Sequence, residues 1–353
     1  MIKIYIAMAV ASFGGVLMAM PFCFYVSQKF NVFDMPDQRK VHTHPIPRWG
    51  GLAIGIGFLT GLGVLLLSSQ RFGWLLDFRH KMTYNGEFIN YLSIEKQLIG
   101  ILIGGLVILA LGMWDDRFNI GPLPKMLTQI IAAYIAMDYG VRISGINMPF
   151  SGKYYLFPLI ISQVITVGWI IGFMNMINLI DGLDGLAAGI VSIVAGTFLV
   201  ISIVQGDATK VILFAKQLKF AGILSAGIMG ISLAFLIYNF FPAKIFLGDS
   251  GTLFLGFILG TVTVIGTLKT AALLAFVIPV MAAGLPAVDA VFAVIRRWRG
   301  GRHIFKPDKE HIHHRLLKKG WTQREIVFLM YVITLLLSIS AILITVFKTR
   351  NII

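Results

Sequence analysis

Cysteine is nearly missing from this sequence: the only one, Cys23, sits inside an apolar run. An internal disulfide and a multi-cysteine metal site are therefore excluded, and Cys23 reads as a residue packed against lipid or a neighbouring helix. Charge is scarce as well, at 13% of residues, where a soluble domain carries about 25%. The shortage falls on acids, with 16 Asp and Glu against 30 Lys and Arg. Long polar stretches, low-complexity regions and internal repeats are also absent, which leaves no room for a separate soluble domain. Against so few acids, any carboxylate at the edge of an apolar run needs a reason.

What the sequence has instead is apolar length. Hydrophobic residues make up 57% of the 353 positions, and mean hydropathy is +0.84. A spanning helix needs about 20 mostly apolar residues. Such runs recur at roughly 4–26, 50–69, 97–114, 124–138, 158–177, 185–204, 221–238, 252–268, 270–295 and 325–347. The expected fold is an all-α polytopic membrane protein of about ten transmembrane helices, forming one integral membrane domain over 1–353. The first run is too long for a signal-peptide core and lacks a small-residue cleavage site. The fourth is short and carries Thr128 and Gln129, which predicts packing inside the bundle. Pro279 and Pro286 kink or break the ninth.

Orientation follows from Lys and Arg in short loops. The most basic loop, 296–324, goes to the cytosol, and counting spans puts 27–48, 115–123, 178–184 and 239–251 on the same side. Loops 70–96 and 205–220 also hold basic residues, so charge bias alone is a modest argument. A second observation strengthens it: every unusual polar cluster falls in those five segments. The net charge of +14 then reads as membrane topology plus a demand for anionic substrates, with no nucleic-acid partner implied.

Five clusters carry chemistry. Asp115-Asp116-Arg117 follows the apolar run ending at Trp114. Two adjacent carboxylates at a membrane boundary repel unless a cation lies between them, so the pair points to a magnesium site or a base beside one, against the plainer reading of a solvated helix end. Asn175, Asn178, Asp181 and Asp184 stand in the run Asn-Met-Ile-Asn-Leu-Ile-Asp-Gly-Leu-Asp-Gly. The last three are spaced by three and share one face if helical, while Gly182 and Gly185 let the backbone turn and a ligand approach. Asp249 lies between Gly248 and Gly251, ten residues after Asn239; it suits a metal or phosphate, or an N-cap of the next span. His311-Ile-His313-His314-Arg315 stands in the basic loop. Magnesium disfavours nitrogen ligands, and the spacing does not suit zinc, so phosphate contacts with Arg302 and Arg315 are the better reading. Asp37, Arg39, Lys40 and His42 precede Pro45, Pro47, Arg48, Gly50 and Gly51, a basic loop suited to an anionic lipid headgroup.

The inventory is several carboxylates, many cations and no hydrolase triad. Magnesium binds through one or two carboxylates plus substrate phosphates, and phosphoryl transfer from a diphosphate depends on positioning and charge neutralisation. Loops converging on one membrane face suit one soluble and one lipid substrate.

At this point the motifs resemble the polyprenyl-phosphate N-acetylhexosamine-1-phosphate transferase superfamily, from Asp37 to Arg315 and in family order. The resemblance implies that Asp115 and Asp116 act in catalysis at the metal and that Asp249, together with Asp116, holds Mg2+ or Mn2+. It implies that Asn178, Asp181, Asp184 and Asn239 line the nucleotide-sugar pocket, that Phe246 stacks near uracil, and that Lys125 is a basic residue of the site. His311, His313, His314 and Arg315 match the family's last-loop motif, and Lys40 and His42 the lipid-phosphate loop. His-Ile-His-His-Arg-Leu, and the first-loop pattern Asp-x-Pro-x-x-Arg-Lys-x-His, are similar to the branch using UDP-N-acetylglucosamine (UDP-GlcNAc). The implied partners are UDP-GlcNAc, undecaprenyl phosphate and membrane lipid, with a second copy of the chain as a candidate. The implied setting is the bacterial cytoplasmic membrane, with the site facing the cytosol.

Three rivals stand beside this reading. A transporter keeps its carboxylates near the midplane on broken helices, whereas these lie at span ends. A CDP-alcohol phosphotransferase has Ala-Arg after its first Asp-Gly pair, where Leu183-Asp184 stands here. The phospho-N-acetylmuramoyl-pentapeptide branch has a Pro-x-His-His-His pattern that is absent.

Overall fold

With no water in the hydrocarbon core, each spanning segment must satisfy its own backbone polar groups, and the long apolar runs accordingly close into helices. The computed structural model describes residues 1–36, 44–84, 87–147, 154–266 and 321–350. Among them are α1 (Ile2–Lys29), α2 (Gly50–Ser68), α3 (Gln70–Leu76), α4 (Ile94–Phe118), α5 (Pro122–Asp138), α6 (Leu159–Ile180), α7 (Leu186–Ala208), α8 (Ile212–Asn239), α9 (Gly248–Gly266) and α10 (Gln323–Arg350). Eight of these, all but α3 and α5, are long and apolar enough to cross a membrane. The ninth expected span, 270–295, lies outside the described residues.

Three short antiparallel pairs accompany the helices: β1 (Phe33–Asp34) with β2 (Ile46–Pro47), β3 (Arg79–Tyr84) with β4 (Glu87–Ser93), and β5 (Gly145–Asn147) with β6 (Tyr154–Leu156). The first lies at the end of the bundle where α1 stops and α2 starts; the other two lie at the opposite end.

The bundle is organised around α9, which is buried at every position from Ser250 to Ile265. It packs against α2, α4, α6 and α8. Where α2, α4 and α9 meet there is room for backbone alone. A Cβ on Gly51 would lie 2.2 Å from the Gly251 nitrogen, and one on Gly112 would lie 2.3 Å from the Ser250 Cα. The same junction is hydrogen-bonded: Gly50 and Gly51 N–H donate to the Phe246 and Leu247 carbonyls, and Phe246 N–H donates to Pro47. Trp49 Nε1 donates to the Met113 carbonyl at 3.2 Å.

Four expectations need correction. The fourth run, α5, does not sit inside the bundle. Gln129, Ala132, Ala133, Ala136 and Met137 form its buried face, while Leu123, Leu127, Ile131 and Tyr134 are exposed. Lipid is as apolar as a protein core, so the sequence does not separate the two faces; Thr128 is satisfied by its own helix through the Pro124 carbonyl. Asp115 and Asp116 belong to the last turn of α4, which Asn119 closes in the left-handed conformation. Asp249 belongs to the first turn of α9. Finally, Asn178, Asp181 and Asp184 do not share a helical face, because α6 ends at Ile180 and the two acids occupy the turn that follows.

Candidate active site

The described polar motifs converge at one end of the bundle, on the last turn of α4, the first turns of α5 and α9, the last turn of α6 and the turn beyond it. The centre is a four-residue cluster. The Lys125 ammonium lies 2.7 Å from Asp115 Oδ2 and also bonds Asp249 Oδ2. Asn178 Nδ2 donates to Asp249 Oδ1 at 3.0 Å and to Thr252 Oγ1 at 2.9 Å. Three helices thus each supply a side chain to one point: Asp115 from α4, Lys125 from α5 and Asn178 from α6, gathered on Asp249 of α9. One turn further into the bundle, Asn175 and Gln129 pair their carboxamides, with Asn175 Nδ2 donating to Gln129 Oε1 at 2.8 Å.

Asp116 does something different from its neighbour. Its Oδ1 accepts the Asp249 N–H at 2.7 Å; its Oδ2 accepts the Ser250 N–H at 3.2 Å and the Ser250 hydroxyl at 2.7 Å. It is a cap for α9 supplied from α4, satisfying donors that a helix start leaves open. Arg48 Nε lies 3.8 Å from Asp116, and its guanidinium also reaches Asp34 at 3.7 Å. Gly248, at φ +66, makes the close approach possible: a Cβ there would lie 2.4 Å from Asp116 Oδ2.

Asp181 stands half-buried beside this arrangement. Burial, and then the charges of Asp249, Asp116 and Asp184, push its carboxyl up to about 7. The carboxylates around Asp181 thus outweigh the opposing influence of the Arg48 cation.

The donor set fits a divalent cation. Lys125 already holds two carboxylates together, and the oxygens of Asp115, Asp249 and Asn178 are the hard donors that magnesium prefers. Among the described residues no three His, Cys, Asp or Glu side chains close into a full cage. Asp116 does not fit as a ligand. Its side chain is 0% exposed, and both oxygens are taken by protein donors.

Asn239 and Asp184 also differ from expectation. Asn239 is 1% exposed. Its Oδ1 accepts the Gly185 N–H at 3.1 Å, and its Nδ2 donates to the Ile245 carbonyl at 2.9 Å. Asp184 Oδ2 accepts the Ala243 N–H at 2.9 Å. Both tie the turn 181–185 to the loop 240–247, Asn239 through both of its side-chain polar atoms and Asp184 through one oxygen. Phe246 is half-buried in that loop, beside the start of α2. Lys40, His42, Arg302, His311, His313, His314 and Arg315 lie outside the described residues.

Sequence reasoning missed Arg48 and Gln129 as parts of this arrangement. Arg48 carried a signal, a cation between Pro47 and the Gly50-Gly51 pair. Gln129 carried one too, a buried-type amide one turn after Lys125.

Comparison with known proteins agrees with the geometry. Residues 98–267, which hold the whole central cluster, match the family described as Glycosyl transferase family 4. Over 342 residues, 97% of this chain and 85% of the relative, the sequence is 36% identical to the probable undecaprenyl-phosphate N-acetylglucosaminyl 1-phosphate transferase of Bacillus subtilis. It is 32% identical to the decaprenyl-phosphate N-acetylglucosaminephosphotransferase of Mycobacterium leprae, over 90% of this chain and 77% of that one. The phospho-N-acetylmuramoyl-pentapeptide-transferase of Pelagibacter ubique is 29% identical over 86% of this chain and 81% of its own length. With these relatives spanning nearly its full length, and its acids, lysine and amides gathered at one end of a helical bundle, the chain belongs to the polyprenyl-phosphate N-acetylhexosamine-1-phosphate transferases, on the side of their N-acetylglucosamine-1-phosphate branch.

Proposed function

We propose that the protein transfers N-acetylglucosamine-1-phosphate from UDP-GlcNAc to undecaprenyl phosphate, releasing UMP and starting a lipid-linked cell-surface glycan. The observation that carries this reading is the meeting of Asp115, Lys125 and Asn178 on Asp249 at one end of the helical bundle. A lipid phosphate and a water-soluble diphosphate can reach such a point from opposite directions.

Asp115 accepts the proton of the lipid phosphate and orients it, and that oxygen attacks the phosphorus attached to the sugar. The bond between the two phosphorus atoms' bridging oxygen and the attacked phosphorus breaks, and UMP leaves with the electron pair. Lys125 sits where charge develops on the diphosphate and stabilises it without reorganising. Asp249, its carboxylate oriented by Asn178, would hold magnesium, which when bound would supply charge neutralisation for the diphosphate. Asp116 contributes by holding the first turn of α9, and hence Asp249, in place. Asp181 and Phe246 serve the nucleotide end. A two-step route with Asp115 as nucleophile uses the same residues; a trapped phospho-aspartyl adduct would replace direct displacement with it. The site faces the cytosol of a bacterial cytoplasmic membrane, where UDP-sugars are available.

The test is incubation of purified protein with magnesium, undecaprenyl phosphate and a panel of UDP-sugars, followed by UMP measurement. UMP should appear with UDP-GlcNAc and require both magnesium and the lipid. Consumption of the muramoyl-pentapeptide donor instead would move the chain to that branch, and solute accumulation without UMP would make it a transporter.

A further inference from the structure

The last helix touches the site through one face. Arg324, Phe328 and Tyr331 are spaced by four and three, so they stack along one side of α10. Each reaches the pair of loops behind the nucleotide end. An Arg324 guanidinium nitrogen lies 3.4 Å from the Phe241 carbonyl, and its guanidinium stands 5.4 Å from the Phe241 ring centroid. Phe328 packs edge-on against Phe240 at 6.0 Å and against Tyr331 at 6.3 Å. The Tyr331 hydroxyl donates to the Gly185 carbonyl at 2.6 Å.

Gly185 is the pivot of the turn that carries Asp181 and Asp184. It sits at φ +80, a conformation that costs a side-chain-bearing residue about 1 kcal/mol or more. Its two backbone polar groups are held from opposite sides: Asn239 takes the N–H and Tyr331 binds the carbonyl. Room for the tyrosine ring is built in. A Cβ on Gly189, one turn into α7, would lie 2.1 Å from the Tyr331 ring. The ring is therefore seated in a slot where, among the described residues, its hydroxyl bonds the turn's carbonyl.

We infer that Tyr331 is a positioning residue for the sugar nucleotide, acting through Gly185 on the turn that holds Asp181, and that α10 is thereby part of the donor site although it lies beyond the matched stretch 98–267. The inference rests on the functional reading above. It separates the two substrates: the turn and the loop 240–247 serve the nucleotide end, whereas the lipid phosphate meets Asp115 on α4 and Lys125 on α5.

The experiment uses the full chain carrying Tyr331→Phe, which removes the hydroxyl and keeps the ring. Thr334→Val is the control on the same helix: Thr334 is buried and bonds its own Met330 carbonyl. With UMP release as readout, Tyr331→Phe should raise the KM for UDP-GlcNAc about fivefold, the size of one lost hydrogen bond. kcat and the KM for undecaprenyl phosphate should stay near wild type. Backbone amide exchange, measured without substrates, should quicken over residues 182–189 and nowhere else in α7. Thr334→Val should change neither constant.

An unchanged donor KM overturns the inference, as does a fall in kcat and both affinities together with faster exchange throughout α10. If the wild type releases no UMP from UDP-GlcNAc, the functional reading fails instead. The exchange data then decide the positioning by themselves: unaltered protection over 182–189 ends it.

Discussion

Asp115 and Asp116 are neighbours in the chain, yet they belong to two different machines. Asp115 faces Lys125 and, through it, Asp249; it is held by an ion pair, a carboxylate against an ammonium. Asp116 faces backbone and is sealed, with its oxygens spent on Asp249, Ser250 and the Ser250 hydroxyl. The same split runs through the second motif, where Asn178 meets the charged cluster while Asp184 and Asn239 hold main chain. One set of acids and amides meets at a common point, and the other fixes the loops on which the first set stands. A residue type within a motif therefore does not settle its task; the direction in which it leaves the helix does.

The comparison can be broken at its centre. Asp249→Asn keeps the shape and the Asn178 contact but weakens the oxygen donor at the meeting point. UMP release should drop by more than about 100-fold, beyond the 10–100-fold typical of groups that only orient a ligand, while the melting temperature stays near wild type. Activity within tenfold of wild type would remove Asp249 from the metal.

A sharper test compares the two neighbours. Asp115→Asn removes a proton acceptor, and a positioned base contributes about 10²–10⁴-fold. Activity should fall by that order with no loss of stability, because a crowded acidic site loses one charge. Asp116→Asn brings an NH2 group against the N–H groups of α9. It should lose about 1–3 kcal/mol of stability, the range for a buried group left unsatisfied, and its activity should fall as a consequence. Thermal melts read beside UMP release separate the two. Equal melting temperatures for both variants would erase the distinction between ligand-facing and backbone-facing acids.

The smallest effect concerns pH. Asp181, pushed up to about 7, holds its proton in the folded protein long after an unfolded Asp, with a value of about 3.9, has lost it. The folded state thus binds more protons between these values. This contribution to stability is complete below the unfolded value and disappears as pH rises through about 7. In chelator-treated protein, wild type should lose melting temperature relative to Asp181→Asn between about pH 4 and pH 7, the window set by those two values. A constant difference across that range would show that Asp181 does not carry the effect.

Much of this was legible in the sequence. The bilayer demands continuous apolar runs, so the spans from Ile2–Lys29 to Gln323–Arg350 could be read with errors of a turn or two. The longest error, at the start of α8, lies where Lys216 and Lys219 interrupt the apolar run while the helix continues. The motif residues could be found because carboxylates are rare. Their division of labour could not. A helix advances about 100° per residue, so Asp115 and Asp116 must point to different neighbours, but only the packing of α4 against α5 and α9 says which. The partners of Arg48 and Tyr331 were not legible for a related reason. Their contacts are made to residues 68 and 146 positions away, respectively Asp116 and Gly185.

The junction of α2, α4 and α9 has a further consequence. Backbone meets backbone at Gly51 and Gly251, and at Gly112 and Ser250, which leaves no side-chain cushion to absorb sliding. A membrane protein adapts to thicker or thinner bilayers by tilting its helices, at a cost of fractions of a kcal/mol per Å. Tilting that preserved these backbone contacts would be taken up away from the site end, toward the hairpins β3–β4 and β5–β6. Acyl-chain length should then alter how those hairpins sit at the interface while leaving the spacing of Asp115, Lys125 and Asp249 as it is, making the chemistry insensitive to hydrophobic mismatch.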